Sequence, residues 1–309
     1  MCKALQSLNI DTCERDEDII QYISDRLNSI ECEDGRIRVE GKNCENSTSV
    51  ICSIEDAGKT TAESQQYNSL INNVSCVLAD YIVKKYESRM ISRIISSNYG
   101  YFNAAEKREI FNLVEVNLLD DEKSFLNSLF KVRRRNIVIR RLFDYFENSK
   151  SIVLEGFVNF RLKEYIKDLE DMVDKAVDTF LTDREYREFI RLLRYFVEIQ
   201  EPRFKVVNIT PAFNGKYSLF DEAHEEITGK CIQELMDEVS VGEISNDDML
   251  VSSLITLAPQ RVVIHKAEAF QNKELLETIR NVFSGRVTLC CSCELCLSSL
   301  TGSKKQPQI

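Results

Sequence analysis

The sequence predicts a helix-rich α+β fold: a central antiparallel helical layer flanked by N- and C-terminal α/β segments, the last of which contains a βαβ unit. Three observations predict it. Apolar residues recur at helical spacing from Tyr67 to about residue 200, and period-two runs lie before and after that block. Near the end, Arg261 to His265 and Arg286 to Cys290 read as strands bracketing one helix, all within about thirty residues. Composition agrees, because 43% hydrophobic and 29% charged residues with only ten Gly and four Pro describe a folded, soluble chain. A chain of 309 residues carries about two domains. The expected divisions are an N-terminal α/β segment over 1–62, a helical domain over 63–203, a C-terminal α/β segment with a cysteine cluster over 204–297, and a disordered tail over 298–309. One sheet shared by both terminal segments is the alternative to separate domains.

Taken in order, Ile19, Ile20, Ile23 and Leu27 predict a helix over about 14–29, with Asp11 and Glu14 spaced as a capping box. Asp34 and Gly35 then mark a hairpin between Ile30/Cys32 and Ile37/Val39, and residues 49–54 form a further strand. A polar linker covers 56–66. Leu70, Ile71, Val74, Val77, Leu78, Tyr81, Ile82, Ile91, Ile94 and Ile95 line one face of a long helix that Asn98, Tyr99 and Gly100 stop. Shorter helices follow over about 103–118, with Ile110, Phe111 and Val114 inward, and 121–147, with Phe125, Leu129, Leu142, Phe143 and Phe146 inward.

From Val158, apolar residues at Leu162, Tyr165, Leu169, Met172, Ala176 and Phe180 hold one stripe on a helix face. Thr182 and Glu185 have capping-box spacing, so a second helix is expected to start there. Its stripe is Tyr186, Phe189, Ile190, Leu193, Phe196 and Val197, it closes at Pro202, and it packs antiparallel to the first. Beyond it, Phe204 to Ile209 and Lys216 to Phe220 flank Asn214 and Gly215 as a hairpin. A helix over about 222–239, a short helix capped by Asn246 or Asp247 and ended by Pro259, and a helix over 272–283 complete the elements.

The stretches from Gly156 to Tyr165 and from Glu185 to Phe196 resemble the YtxC-like family of sporulation proteins, and Leu254 to Pro259, Val262 to His265, Asn272 to Phe283 and the terminal cysteines extend the likeness. The resemblance covers the second half closely and the first half loosely. It implies a cytosolic protein of endospore-forming bacteria and carries over no catalytic residue.

Chemistry concentrates in Cys290, Cys291, Cys293 and Cys296, four of the chain's eleven cysteines within seven residues. A βαβ crossover leaves its strands parallel, so their carboxyl ends share one sheet edge, where open α/β sheets bind ligands. One strand ends at His265 and the other at Cys290. Cys290, Cys293 and Cys296 form C-x-x-C-x-x-C, and His265 would complete a tetrahedral Cys₃His zinc site. An iron-sulfur cluster is the competing cofactor, redox thiols or empty thiols the remaining readings, and a hydrogen-bonded strand-end His265 the plain one. His224 reads as a surface residue, and the cysteines outside the cluster as free thiols. Lys131, Arg133, Arg134, Arg135, Arg140 and Arg141 put six cations and no anion in eleven residues. They form either a solvated helix face balanced by neighbouring acids or a phosphate or nucleic-acid contact.

A formal net charge of -10 argues against a general nucleic-acid or anionic-membrane binder. The N-terminus has no apolar run of the length of a signal peptide core, and the longest uncharged, mostly apolar stretch, Met249 to Pro259, is about half a membrane span, so the expectation is cytoplasmic. The function expected is that of a non-enzymatic, metal-stabilised interaction protein with a protein partner. The alternatives are a nucleic-acid or phosphate-binding factor using 131–141, and a thiol- or metal-dependent enzyme at His265 and the cysteines.

Overall fold

The computed structural model describes residues 7–30, 35–56, 63–119, 125–212, 215–229, 245–293 and 296. The chain divides into two compact units, Met1–Leu181 and Thr182–Ile309. Each has its own sheet and its own apolar core, so among the described residues the terminal segments do not share one sheet.

The first unit is built on a sheet of order β2-β3-β1-β4. Its strands are β1 (Ser7–Thr12), β2 (Gly35–Asn43), β3 (Thr48–Asp56) and β4 (Ser151–Val153), with β4 parallel to β1 and the other pairs antiparallel. Leu8, Ile10 and Thr12 alternate inward along β1, a strand too poor in apolar residues to be read from the sequence. The hairpin expected at Asp34 and Gly35 falls elsewhere. Strand β2 starts at Gly35 and turns through 44–47 into β3, where Cys44 N–H donates to Ser47 O at 2.8 Å. The nine-residue register with the apolar run of β3 outweighs the local turn signal; residues 31–34 lie outside the described residues. Helix α1 (Glu17–Asn28) buries Ile19, Ile23 and Leu27. A Cβ added to Gly41 on β2 would lie 2.5 Å from Ile20 Cγ2, so this close approach of helix to strand needs glycine.

The helices of this unit are α2 (Glu63–Asn98), α3 (Ala104–Leu119), α4 (Phe125–Asn148), α5 (Leu154–Arg161) and the first part of α6 (Lys163–Ile199). All ten inward positions expected on α2 are buried. Asn103 caps α3, its Oδ1 accepting from Ala105 and Glu106 N–H while the Glu106 carboxylate accepts from Asn103 N–H at 2.9 Å. On α4 the inward row is Arg134, Val138, Leu142 and Phe146, and Leu129, expected inside, is exposed. Leu129 lies off that four-residue row. The second capping box, at Thr182 and Glu185, is not a helix start: α6 runs through it unbroken. Neither Gly nor Pro interrupts Phe180 to Ile199, and a capping box signals a boundary only where the preceding backbone leaves the helix.

In the second unit the sheet order is β6-β5-β7-β8, with β5 (Val206–Pro211), β7 (Arg261–Ile264) and β8 (Val287–Leu289) parallel and β6 (Tyr217–Phe220) antiparallel to β5. Gly215, at φ 64°, supplies the left-handed residue of the β5–β6 turn. Helix α7 (Asn246–Leu257) is capped by Ser245, and α8 (Lys273–Val282) by Asn272. The helix expected from 222 does not start there. Asp221 to Glu225 form a turn held by the Asp221 carboxylate, which accepts from Ala223 and Glu225 N–H, and helical backbone begins at Thr228; 230–244 lie outside the described residues.

The later part of α6 contributes Ile190 and Val197 to this unit's core. Tyr186, Phe189 and Phe196, expected inside, are exposed, as are Leu192, Tyr195 and Ile199. Apolar residues surround this turn of helix on nearly every side, so the period alone does not choose the face. Contacts choose it: Tyr186 Oη lies 3.1 Å from Thr278 Oγ1, and Arg194 donates to Asn281 O, setting the 190/197 row against α8.

Candidate metal centre

His265 and Cys290 are the first residues past β7 and β8, and the parallel ladder continues through their backbones. His265 N–H donates to Ile209 O and Cys290 N–H to Ile264 O, each at 2.9 Å. Lys266 follows at φ 49°, so the chain leaves the sheet abruptly and His265 stays at its edge. Cys293 and Cys296 lie beside the imidazole.

The structure brings together four of the sequence-predicted site residues: His265, Cys290, Cys293 and Cys296 offer ligand atoms that all lie within 4.8 Å of one another. Cys293 Sγ is 3.3 Å and Cys296 Sγ 3.5 Å from His265 Nδ1, Cys293 and Cys296 sulfurs are 3.8 Å apart, and Cys296 and Cys290 sulfurs 3.9 Å. A tetrahedron with Zn–S bonds of about 2.3 Å and Zn–N of about 2.0–2.1 Å has S···S edges of about 3.8 Å and N···S edges of about 3.6 Å. Four of the six donor pairs therefore stand near the edge lengths of a mononuclear thiolate site, and all six lie within 4.8 Å. Disulfide sulfurs would be at about 2.05 Å. A cuboidal cluster spreads its thiolates over separate irons and so sets them further apart. Cys291 is exposed and outside the group.

Burial, and then the charge of His224, hold His265 below the ordinary histidine value, which favours the neutral ring that a metal ligand requires. Desolvation, then hydrogen bonds with Cys293 and Cys296, push Cys290 up, so without a cation it stays a thiol, unlike the thiolate that a nucleophile or a bound ligand must be.

The sequence reading missed Asn208. It is buried on β5 beside Val207 and Ile209, its Oδ1 lies 3.1 Å from His265 Nε2, and its Nδ2 donates to Asp221 O at 2.9 Å. The signal was there in principle: an Asn inside an otherwise apolar strand is unfavourable unless a buried partner satisfies it.

The basic cluster lies on α4, in the first unit. Arg135 is bidentate with Asp80 at 2.5 and 3.2 Å, Arg133 is 3.6 Å from Asp168, and Arg141 is 3.4 Å from Glu164. Arg134 points inward, 3.8 Å from Glu87. The neighbouring helices thus balance much of this charge. Arg133, Arg140 and Arg141 still line an open groove of about 520 Å³ with Leu129, Val132 and Glu164.

A family model of the YtxC-like family matches residues 72–288. This chain belongs to that family. The match includes Asn208 and His265 and stops two residues before Cys290, so of the stretches that carried the resemblance the cysteines alone fall outside it. The uncharacterized protein YtxC of Bacillus subtilis (strain 168) is 24% identical over 215 residues, 69% of this chain and 74% of its own length. No solved structure matches. Among the described residues, no helix is long and apolar enough to cross a membrane.

Proposed function

We propose that this YtxC-like chain is a non-enzymatic interaction protein of sporulating cells whose second unit is stabilised by a zinc ion. The observation that carries the metal is the convergence of His265 Nδ1 and the three sulfurs, four of whose six separations are near those of a tetrahedral zinc site. Four protein donors leave no open coordination position, which suits a structural ion better than a catalytic one that must bind water or substrate. Neither the raised Cys290 thiol nor the surroundings of His265 supply an acid, a base and an oxyanion site together. The exposed apolar side chains on α6, with Tyr195 at 60% and Ile199 at 58% exposure, support a protein partner. The sporulation role rests on the family resemblance.

Elemental analysis of protein purified anaerobically without added metal, with a visible spectrum, tests the metal. About one zinc per chain and no visible absorption is expected; iron with broad absorption would replace zinc by a cluster, and neither metal would end the coordination reading. Deleting the gene in its host and counting heat-resistant spores tests the cellular role. An undiminished count would remove it.

A further inference from the structure

The amide of Asn208 has only one orientation compatible with its neighbours. Its nitrogen donates to the Asp221 carbonyl oxygen at 2.9 Å, an atom that can only accept. Its oxygen must therefore face His265 Nε2, 3.1 Å away, and because that oxygen also only accepts, Nε2 must carry a proton. A neutral imidazole has a single N–H, so the lone pair sits on Nδ1, the atom facing Cys293 and Cys296 at 3.3 and 3.5 Å. Asn208 is itself buried, and among the described residues His265 Nε2 is the partner of its oxygen.

We propose that Asn208 is the positioning residue of the metal centre, holding His265 in the Nε2–H tautomer so that Nδ1 completes a closed Cys₃His set for a zinc ion. This rests on the zinc reading given above, but its tautomer component does not need the ion. The arrangement is the amide counterpart of the carboxylate or carbonyl that commonly holds the free nitrogen of a metal-bound histidine. The relay also runs across the sheet. Hydrogen bonds join Asp221 after β6 to Asn208 on β5, Asn208 to His265 after β7, and Cys290 after β8 to Ile264 of β7, so the chain of contacts touches all four strands.

The test uses the full chain, reduced, with its histidines labelled with ¹⁵N. Side-chain ¹H–¹⁵N correlations of metal-free wild type should show His265 protonated at Nε2; protonation at Nδ1 would overturn the proposal whether or not zinc binds. With zinc added, the Nδ1 resonance should shift and Nε2–H persist. Asn208→Leu, which keeps the volume and removes the acceptor, should weaken zinc binding about 10–100-fold in chelator competition and mix the two tautomers. Asn208→Asp, which still accepts from Nε2–H, should retain the wild-type tautomer. Equal zinc affinity and an unchanged tautomer in Asn208→Leu would also overturn it. A wild type that binds no zinc yet shows the Nε2–H tautomer would instead sink the zinc reading and with it the role assigned to Asn208, leaving the hydrogen bond alone standing. If Asn208→Leu fails to fold, the wild-type tautomer and Asn208→Asp still decide.

Discussion

The two units solve the problem of a buried polar group in different ways. In the first, Tyr165 donates to Glu87, Glu87 lies by Arg134, and Arg134 Nη1 lies 2.9 Å from Met172 Sδ, all within a core of long helices. Tyr81 likewise donates to Asp16, which also pairs with Lys85 at 3.1 Å. The phenols and carboxylates satisfy one another while Arg134 Nε is left without a hydrogen-bond partner among the described residues, and burial beside carboxylates pushes both phenols well above their ordinary range so that they remain donors. In the second unit the polar cluster gathers at a sheet edge, and its sulfurs face one another and one ring nitrogen. Under the zinc reading proposed above, an ion would sit between its members. The lesson is that the helical core pairs its buried carboxylates with nearby phenols and cations, whereas the sheet edge of the second unit gathers a donor set of the kind that suits a metal.

The comparison breaks if metal removal acts on both units alike. Under the zinc reading, chelation should remove a contribution on the order of 10 kcal/mol from the second unit, and Cys293→Ser a part of it. Amide exchange should accelerate over 261–290 and stay unchanged in α2 and α4, and uniform acceleration would show that the distinction is wrong. The converse experiment is Phe146→Ala, which empties a fully buried position of the first core. It should cost about 3–5 kcal/mol in denaturant unfolding while zinc content stays at wild-type level. A smaller effect sharpens the account of the polar core. Tyr165→Phe leaves Glu87 without its hydroxyl donor and should cost about 1–3 kcal/mol, again with zinc retained; a neutral result would mean that Arg134 alone satisfies Glu87.

Much of this was legible in the sequence, for identifiable reasons. The long stripe of α2 and the strand, helix, strand run ending at Cys290 follow directly from period and punctuation, so the meeting of His265 with the cysteines could be expected from parallel topology alone. What escaped depended on partners far along the chain. Strand β4 has three residues and exists because β1 offers it a parallel edge. The register of β2 was decided by β3 and not by Asp34 and Gly35. Leu129 and the exposed aromatics of α6 were misplaced because a helix with apolar residues all round does not announce which face its neighbours will cover. Asn208 needed the strand pairing to bring it within reach of a histidine 57 positions later.

The order of the ligands along the chain has a consequence for how the protein is made. His265 emerges during synthesis before any of its three cysteine partners, and the last of them is Cys296. Strands β5, β6 and β7 can pair as soon as they leave the ribosome, but β8 and the donor set must wait for the final turn. A chain interrupted after Cys293 would own three donors and could hold an ion only weakly or by borrowing from solvent. With an ion bound as proposed, the four-donor set would close only on a polypeptide translated through residue 296.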